Sequence, residues 1–188
     1  MICILMKKGE IKLTIFVKNL KIKTMKKIIA VVAIATVSLA NAQAYKGKGD
    51  IKAQVGVNIQ NHGTGINVGA DFGLGENMSY GFVASYLLSV QEVAGIKPEF
   101  KDRADAKIRF NANLGNVFKL DKKMDIYPGL NLGTRNFGAH LGFRYFFTQG
   151  FGVYTEAGIP IAKYDSNVQG FDEYNNQFVF QIGASFNL

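Results

Sequence analysis

The last twelve residues, Gln177 to Leu188, alternate between two kinds of side chain. Phe178, Phe180, Ile182, Ala184, Phe186 and Leu188 fall on one side. Gln177, Gln181, Gly183, Ser185 and Asn187 fall on the other, with Val179 alone out of place. A strand places successive side chains on opposite faces, so this segment has one greasy face and one small, polar face. The same rhythm runs through Ile51–Gln60, Ile66–Leu74, Tyr80–Leu88, Ala104–Leu114, Met124–Thr134, Phe137–Phe147 and Phe151–Ile159. In the cleanest of these, Ala104, Ala106, Ile108, Phe110, Ala112 and Leu114 oppose Asp105, Lys107, Arg109, Asn111 and Asn113.

Eight strands of roughly ten residues suit a bilayer crossed at barrel tilt, and eight is the smallest common size for such barrels. The connections at 61–65, 90–103, 135–136 and 160–176 would share one end. Those at 75–78, 119–123 and 148–150 would share the other with both chain termini. The two longest connections then fall on the same, outward end, and short turns face the periplasm. The pattern therefore predicts an all-β fold, an eight-stranded antiparallel up-and-down transmembrane β-barrel.

Alternation alone also fits a secreted soluble barrel, a lipocalin-like carrier with its greasy row inside. Charge content favours the membrane. The polar rows hold Lys52, Asp71, Asp105, Lys107, Arg109, Arg144 and Glu156 among Gly, Asn and Gln. Few charges among small residues suit a narrow lumen whose side chains pair with one another. The greasy rows carry no charge at strand centres, where one would cost ~2–4 kcal/mol in lipid. Glu156 is expected to pair with Arg144, its neighbour on the adjoining strand, or with Arg109 or Lys107. Tyr80, Tyr86, Tyr127, Tyr145, Tyr154, Tyr164 and Tyr174 are expected to form interfacial girdles with Phe137, Phe147, Phe151 and Phe171.

The N-terminal region changes the meaning of the net charge. Met25-Lys26-Lys27 opens a basic segment, Ile28–Leu39 is apolar, and Ala40-Asn41-Ala42 or Ala42-Gln43-Ala44 offers a small-x-small cleavage site. This is secretory signal architecture over residues 25–44, with cleavage after Ala42 or Ala44, and its apolar run is too short to span a bilayer as a helix. Residues 1–24 read as an upstream start or an extended basic region. Residues 1–44 carry eight of the lysines and one glutamate. From Tyr45 onward 14 Lys plus Arg face 13 Asp plus Glu, so the formal +8 of the whole chain vanishes from the barrel domain, residues 45–188. The basic balance is no argument for a nucleic-acid partner. The single Cys3 lies in the leader, which leaves the domain no thiol for a disulfide, a metal site or a lipid anchor.

Phe143–Gly158 (FRYFFTQGFGVYTEAG), the closing QIGASFNL and Asp125–Gly133 (DIYPGLNLG) resemble small outer-membrane β-barrel domains of the OmpA/OmpX kind. The resemblance covers Ile51–Leu188 and rests on glycine and aromatic spacing. It implies an integral protein of the bacterial outer membrane, exported by the general secretory route. It also implies recognition of the last strand by the barrel-insertion machinery. Here the chain closes on Phe186 and Leu188, where many such barrels end on an aromatic.

Catalysis on a barrel needs a nucleophile with a base and an orienting acid within reach. The chain has two histidines, His62 in a turn and His140 in a lumen row, spaced for no metal. Asn61–Gly65 and Gly69-x-x-x-Gly73 are turn and strand glycines with no helix after them to cradle a phosphate. Gln91-Glu92, Asp165 and Asp172-Glu173 read as ordinary solvated loop charge. No enzyme activity and no cofactor are expected. The expectation is a monomeric barrel with a filled lumen and outward loops, an interaction platform in contact with outer-membrane lipid. The alternatives are a narrow pore or a conduit for a small apolar molecule.

Overall fold

A computed structural model describes residues 43–92, 96–165 and 170–188. Eight antiparallel strands close into one barrel: β1 Ile51–Gln60, β2 Gly63–Gly73, β3 Met78–Val90, β4 Ala104–Ala112, β5 Met124–Gly133, β6 Asn136–Phe146, β7 Phe151–Lys163 and β8 Val179–Asn187. Each strand pairs with its neighbours in sequence. β8 returns to β1 from Lys52↔Asn187 to Gln60↔Val179, which removes both sheet edges.

Burial follows the period of two. On β1, Lys52, Gln54, Asn58 and Gln60 are buried while Val55, Val57 and Ile59 are exposed. On β4, Asp105, Arg109 and Asn111 are buried while Ala106, Ile108 and Phe110 are exposed. The arrangement is inside out: polar and charged residues make up most of the buried set, beside a few such as Val83, Leu87 and Phe146, and Val55, Val68, Phe82, Phe110, Leu132, Leu141 and Ile182 face outward. Aromatic rings gather near the end that carries both termini of the domain. There Tyr145, Phe147, Phe151 and Phe186 form a chain of contacts with centroids 5.1 to 6.1 Å apart.

Several boundaries differ from the sequence reading. β2 starts at Gly63, because Gln60 pairs with Gly63 and the turn needs only Asn61 and His62. His62 takes the left-handed φ of 59° that closes it. β4 stops at Ala112, so the connection to β5 is residues 113–123. It is bound by Phe118 N–H to the Leu114 carbonyl and Leu120 N–H to the Gly115 carbonyl, both 2.9 Å. β7 runs through Pro160 to Lys163. Its pairing with β8 ends at Gly158, so the missing proline N–H falls where no partner on that side requires it. The connection after β3 ends in a one-turn helix, α1 (Phe100–Arg103), and a 3-10 turn at Gly170–Glu173 precedes β8. The leader through Ala42 lies outside the described residues. Ala44 is buried against Phe146, and its N–H donates to the Lys122 carbonyl at 2.7 Å.

Candidate functional site

The distinctive chemistry lies inside the barrel, in side chains that reach across a neighbouring strand at a glycine. Asp71 on β2 and Arg109 on β4 are separated by β3, where both align with Gly81. A Cβ on Gly81 would collide with Asp71 Oδ1 and the Ala70 carbonyl. Through that gap Arg109 Nε and Nη2 donate to Asp71 Oδ1 and Oδ2 at 2.7 and 2.8 Å, a bidentate fork. The same guanidinium donates through Nη1 to Glu156 Oε2 at 2.8 Å and through Nη2 to Gln54 Oε1 at 2.5 Å. It thereby ties β1, β2, β4 and β7 together across the lumen.

The device recurs. His140 on β6 aligns with Gly129 on β5 and Asn111 on β4. The imidazole lies across the glycine, with Nε2 2.8 Å from Asn111 Oδ1. Tyr154 on β7 aligns with Gly183 on β8 and Gly56 on β1, and its hydroxyl donates to Asn67 Oδ1 on β2 at 2.5 Å. The Tyr127 ring fills the space over Gly142 and lies under the Arg144 guanidinium, 3.9 Å from ring centroid to charge centre. Arg144 Nη2 donates to Asp71 Oδ2 at 3.3 Å, and Nε lies 3.8 Å from Asp125 Oδ2.

The seven charged residues singled out from sequence therefore divide into groups. Asp71, Arg109, Glu156 and Arg144 form one connected centre, which Asp125 joins. Glu156 engages Arg109; Arg144 is two positions out of line with it, opposite Tyr154 in the register. Lys52 pairs with Asp50 near the termini end and stands 5.3 Å over the Phe146 ring. Lys107 and Asp105 pair at 3.5 Å towards the opposite end, where the Thr134 hydroxyl also donates to Asp105 at 2.5 Å. Tyr127 and Tyr154, expected in the girdles, are instead lumen residues, at most 1 % exposed. They lie on the polar parity of their strands, which the girdle reading set aside in favour of residue type. Tyr174 is also turned inward, its hydroxyl donating to the Gln91 carbonyl at 2.5 Å, and Phe171 stacks on it. Gln54 and Asp125 belong to that centre as well and Asp50 to the Lys52 pair, and their parity alone marks them.

Both ends are covered. Asn175 N–H donates to Gln60 Oε1 at 3.2 Å, and Asn136 donates to the Asn175 carbonyl and Asn176 Oδ1 at 2.9 and 3.0 Å. This folds the segment before β8 over one mouth. At the other, Gln43–Asp50 crosses beneath the barrel, with the Tyr45 hydroxyl donating to the Gly75 and Met78 carbonyls at 2.9 and 2.5 Å. Burial, reinforced by the nearby Asp50, pushes the Tyr45 phenol up to about 12. Between the covers, a lumen cavity beside Val83, Arg109, His140, Glu156 and Val179 measures about 20 Å³, space for roughly one water. Among the described residues no group of three His, Cys, Asp or Glu side chains is placed to hold a metal.

Solved structures share this architecture. A de novo designed transmembrane β-barrel aligns with a TM-score of 0.52 at 11% identity, covering 76% of this chain and 98% of the design. The N-terminal β-barrel domain of Pseudomonas aeruginosa OprF aligns with a TM-score of 0.53 at 8% identity, covering 76% of this chain and 100% of that domain. At these identities the likeness establishes the fold, a transmembrane β-barrel. None of the curated proteins matches the chain. Residues 35–188 match DUF6646, a family of unknown function, and the chain belongs to that family.

Proposed function

We propose that this protein is a monomeric outer-membrane barrel that serves as a rigid interaction platform, with its lumen sealed and the connections at 91–103 and 164–178 facing out of the cell. The observation that carries the reading is the inversion of burial: a charged, hydrogen-bonded interior inside a continuous apolar wall. Such a wall gains nothing from water and is stable where lipid meets it. The secretory leader read at residues 25–44 supplies the export route, and β8, apolar on its lipid face through Ile182 and Phe186, is the segment offered to the insertion machinery. No catalytic activity belongs to the proposal.

Electrophoresis of boiled and unboiled outer-membrane fractions tests it. A closed barrel resists SDS until heated, so the unboiled protein should migrate apart from the boiled form. Recovery in the soluble periplasmic fraction with no such shift would overturn the proposal in favour of a soluble carrier. The pore reading has less support, since the cavity at the level of Arg109 admits about one water.

A further inference from the structure

The outer wall of a membrane barrel meets lipid everywhere, but one part of it has the shape and chemistry to retain a lipid. The row Ala70–Phe82–Ile108–Leu132 crosses β2 to β5 at matching register, and the next row towards the loops carries Ala84 beside Ala106. Small residues beside this bulky row leave a trough of about 660 Å³ on the outer wall, with an almost entirely apolar lining. One row further on, Tyr86 aligns with Ala104, and the Arg103 guanidinium lies 4.8 Å over the Tyr86 ring.

Arg103 is held rather than neutralised. Its Nε and Nη2 donate to the Leu87 and Leu88 carbonyls, both at 2.7 Å, and Phe100 packs on the same tyrosine with ring centroids 5.2 Å apart. Among the described residues it has no carboxylate at ion-pair distance. Of the acids beside it, Asp102 accepts from the Glu99 N–H at 2.8 Å, and the Glu99 carboxylate lies 3.3 Å from Lys101 Nζ. A fixed cation above an apolar trough is complementary to an anionic head above an acyl tail. Arginine on an aromatic ring suits phosphate, which its remaining N–H groups can meet in a plane.

We propose that this trough holds one acyl chain of a phosphate-bearing glycolipid of the outer leaflet, with a phosphate on Arg103. The proposal rests on the membrane placement above and names a partner for that wall. Native mass spectrometry of the full chain, folded in detergent and supplied with bis-phosphorylated, hexa-acylated lipid A, tests it. The wild type should keep one lipid A at energies that strip detergent. Arg103→Gln and Ala106→Phe should each cut retention about tenfold or more, with Ala84→Leu as the second trough-filling variant. Phosphatidylcholine should not be retained. Equal retention by the variants and wild type would overturn the site, and phosphatidylglycerol held as firmly as lipid A would overturn the choice of a glycolipid. A heat shift on SDS gels is recorded for each sample. A wild type that shifts without retaining lipid loses the site alone, whereas one that fails to shift loses the membrane reading and the site with it.

Discussion

At the residue scale, the interior works by pairing long polar side chains with glycines one strand away. Arg109 is the hub, with three acceptors from three strands. Breaking a buried ion pair on one side commonly costs about 3–5 kcal/mol, because an uncompensated charge is left behind. Glu156→Gln leaves Arg109 its fork to Asp71, so a smaller loss is expected, about 1–3 kcal/mol, read as a lower midpoint in urea unfolding of the lipid-folded protein. An unchanged midpoint would show Glu156 to be dispensable to the plug. Gly142→Ala probes the other half of the device. The added methyl meets the Tyr127 ring and would drive it into Arg144, so a loss of about 1–3 kcal/mol is expected by the same measurement. A Tyr127→Ala background should relieve the clash and shrink the effect of the glycine change.

At the element scale, strand count and facing were legible because a period of two survives in every segment. What stayed illegible was three-dimensional register. That Arg109 selects Asp71 depends on Gly81 standing between them, and nothing local to either charge announces it. Tyr154 carries the polar parity of β7, but that Gly183 and Gly56 clear its path to Asn67 depends on β8 and β1. The strand seams are also unequal. β4 and β5 share five register pairs, Lys107↔Gly133 to Asn111↔Gly129, against eleven between β2 and β3. Fewer ladder bonds, and glycine at both ends of the seam, lower the local cost of opening. Amide hydrogen exchange in detergent should therefore find β4 and β5 less protected than β2 and β3, and uniform protection around the barrel would contradict it.

At the scale of the whole molecule, closure depends on three stacked obstacles: the segment before β8 over one mouth, the Arg109–Asp71–Glu156 layer, and Gln43–Asp50 beneath. The lower cover has its own pH signature. The Tyr45 phenol is neutral while it donates to Gly75 and Met78, and its pKa is raised from 10.0 to about 12. A group whose folded pKa lies above its unfolded value stabilises fully below the unfolded value and loses that contribution as pH rises through the folded one. The base should therefore loosen between about pH 10 and 12, and Tyr45→Phe should flatten that part of the stability curve. Loosening either cover still leaves the central layer, where the space amounts to about one water. Planar bilayers containing the wild type should thus show no unitary conductance. Deleting residues 170–176 should open the mouth without creating a channel. Steps should appear only when the layer itself is cut back, as in that deletion combined with Arg109→Ala. Steady conductance from the loop deletion alone would place the seal at the mouth and return the pore reading to the front.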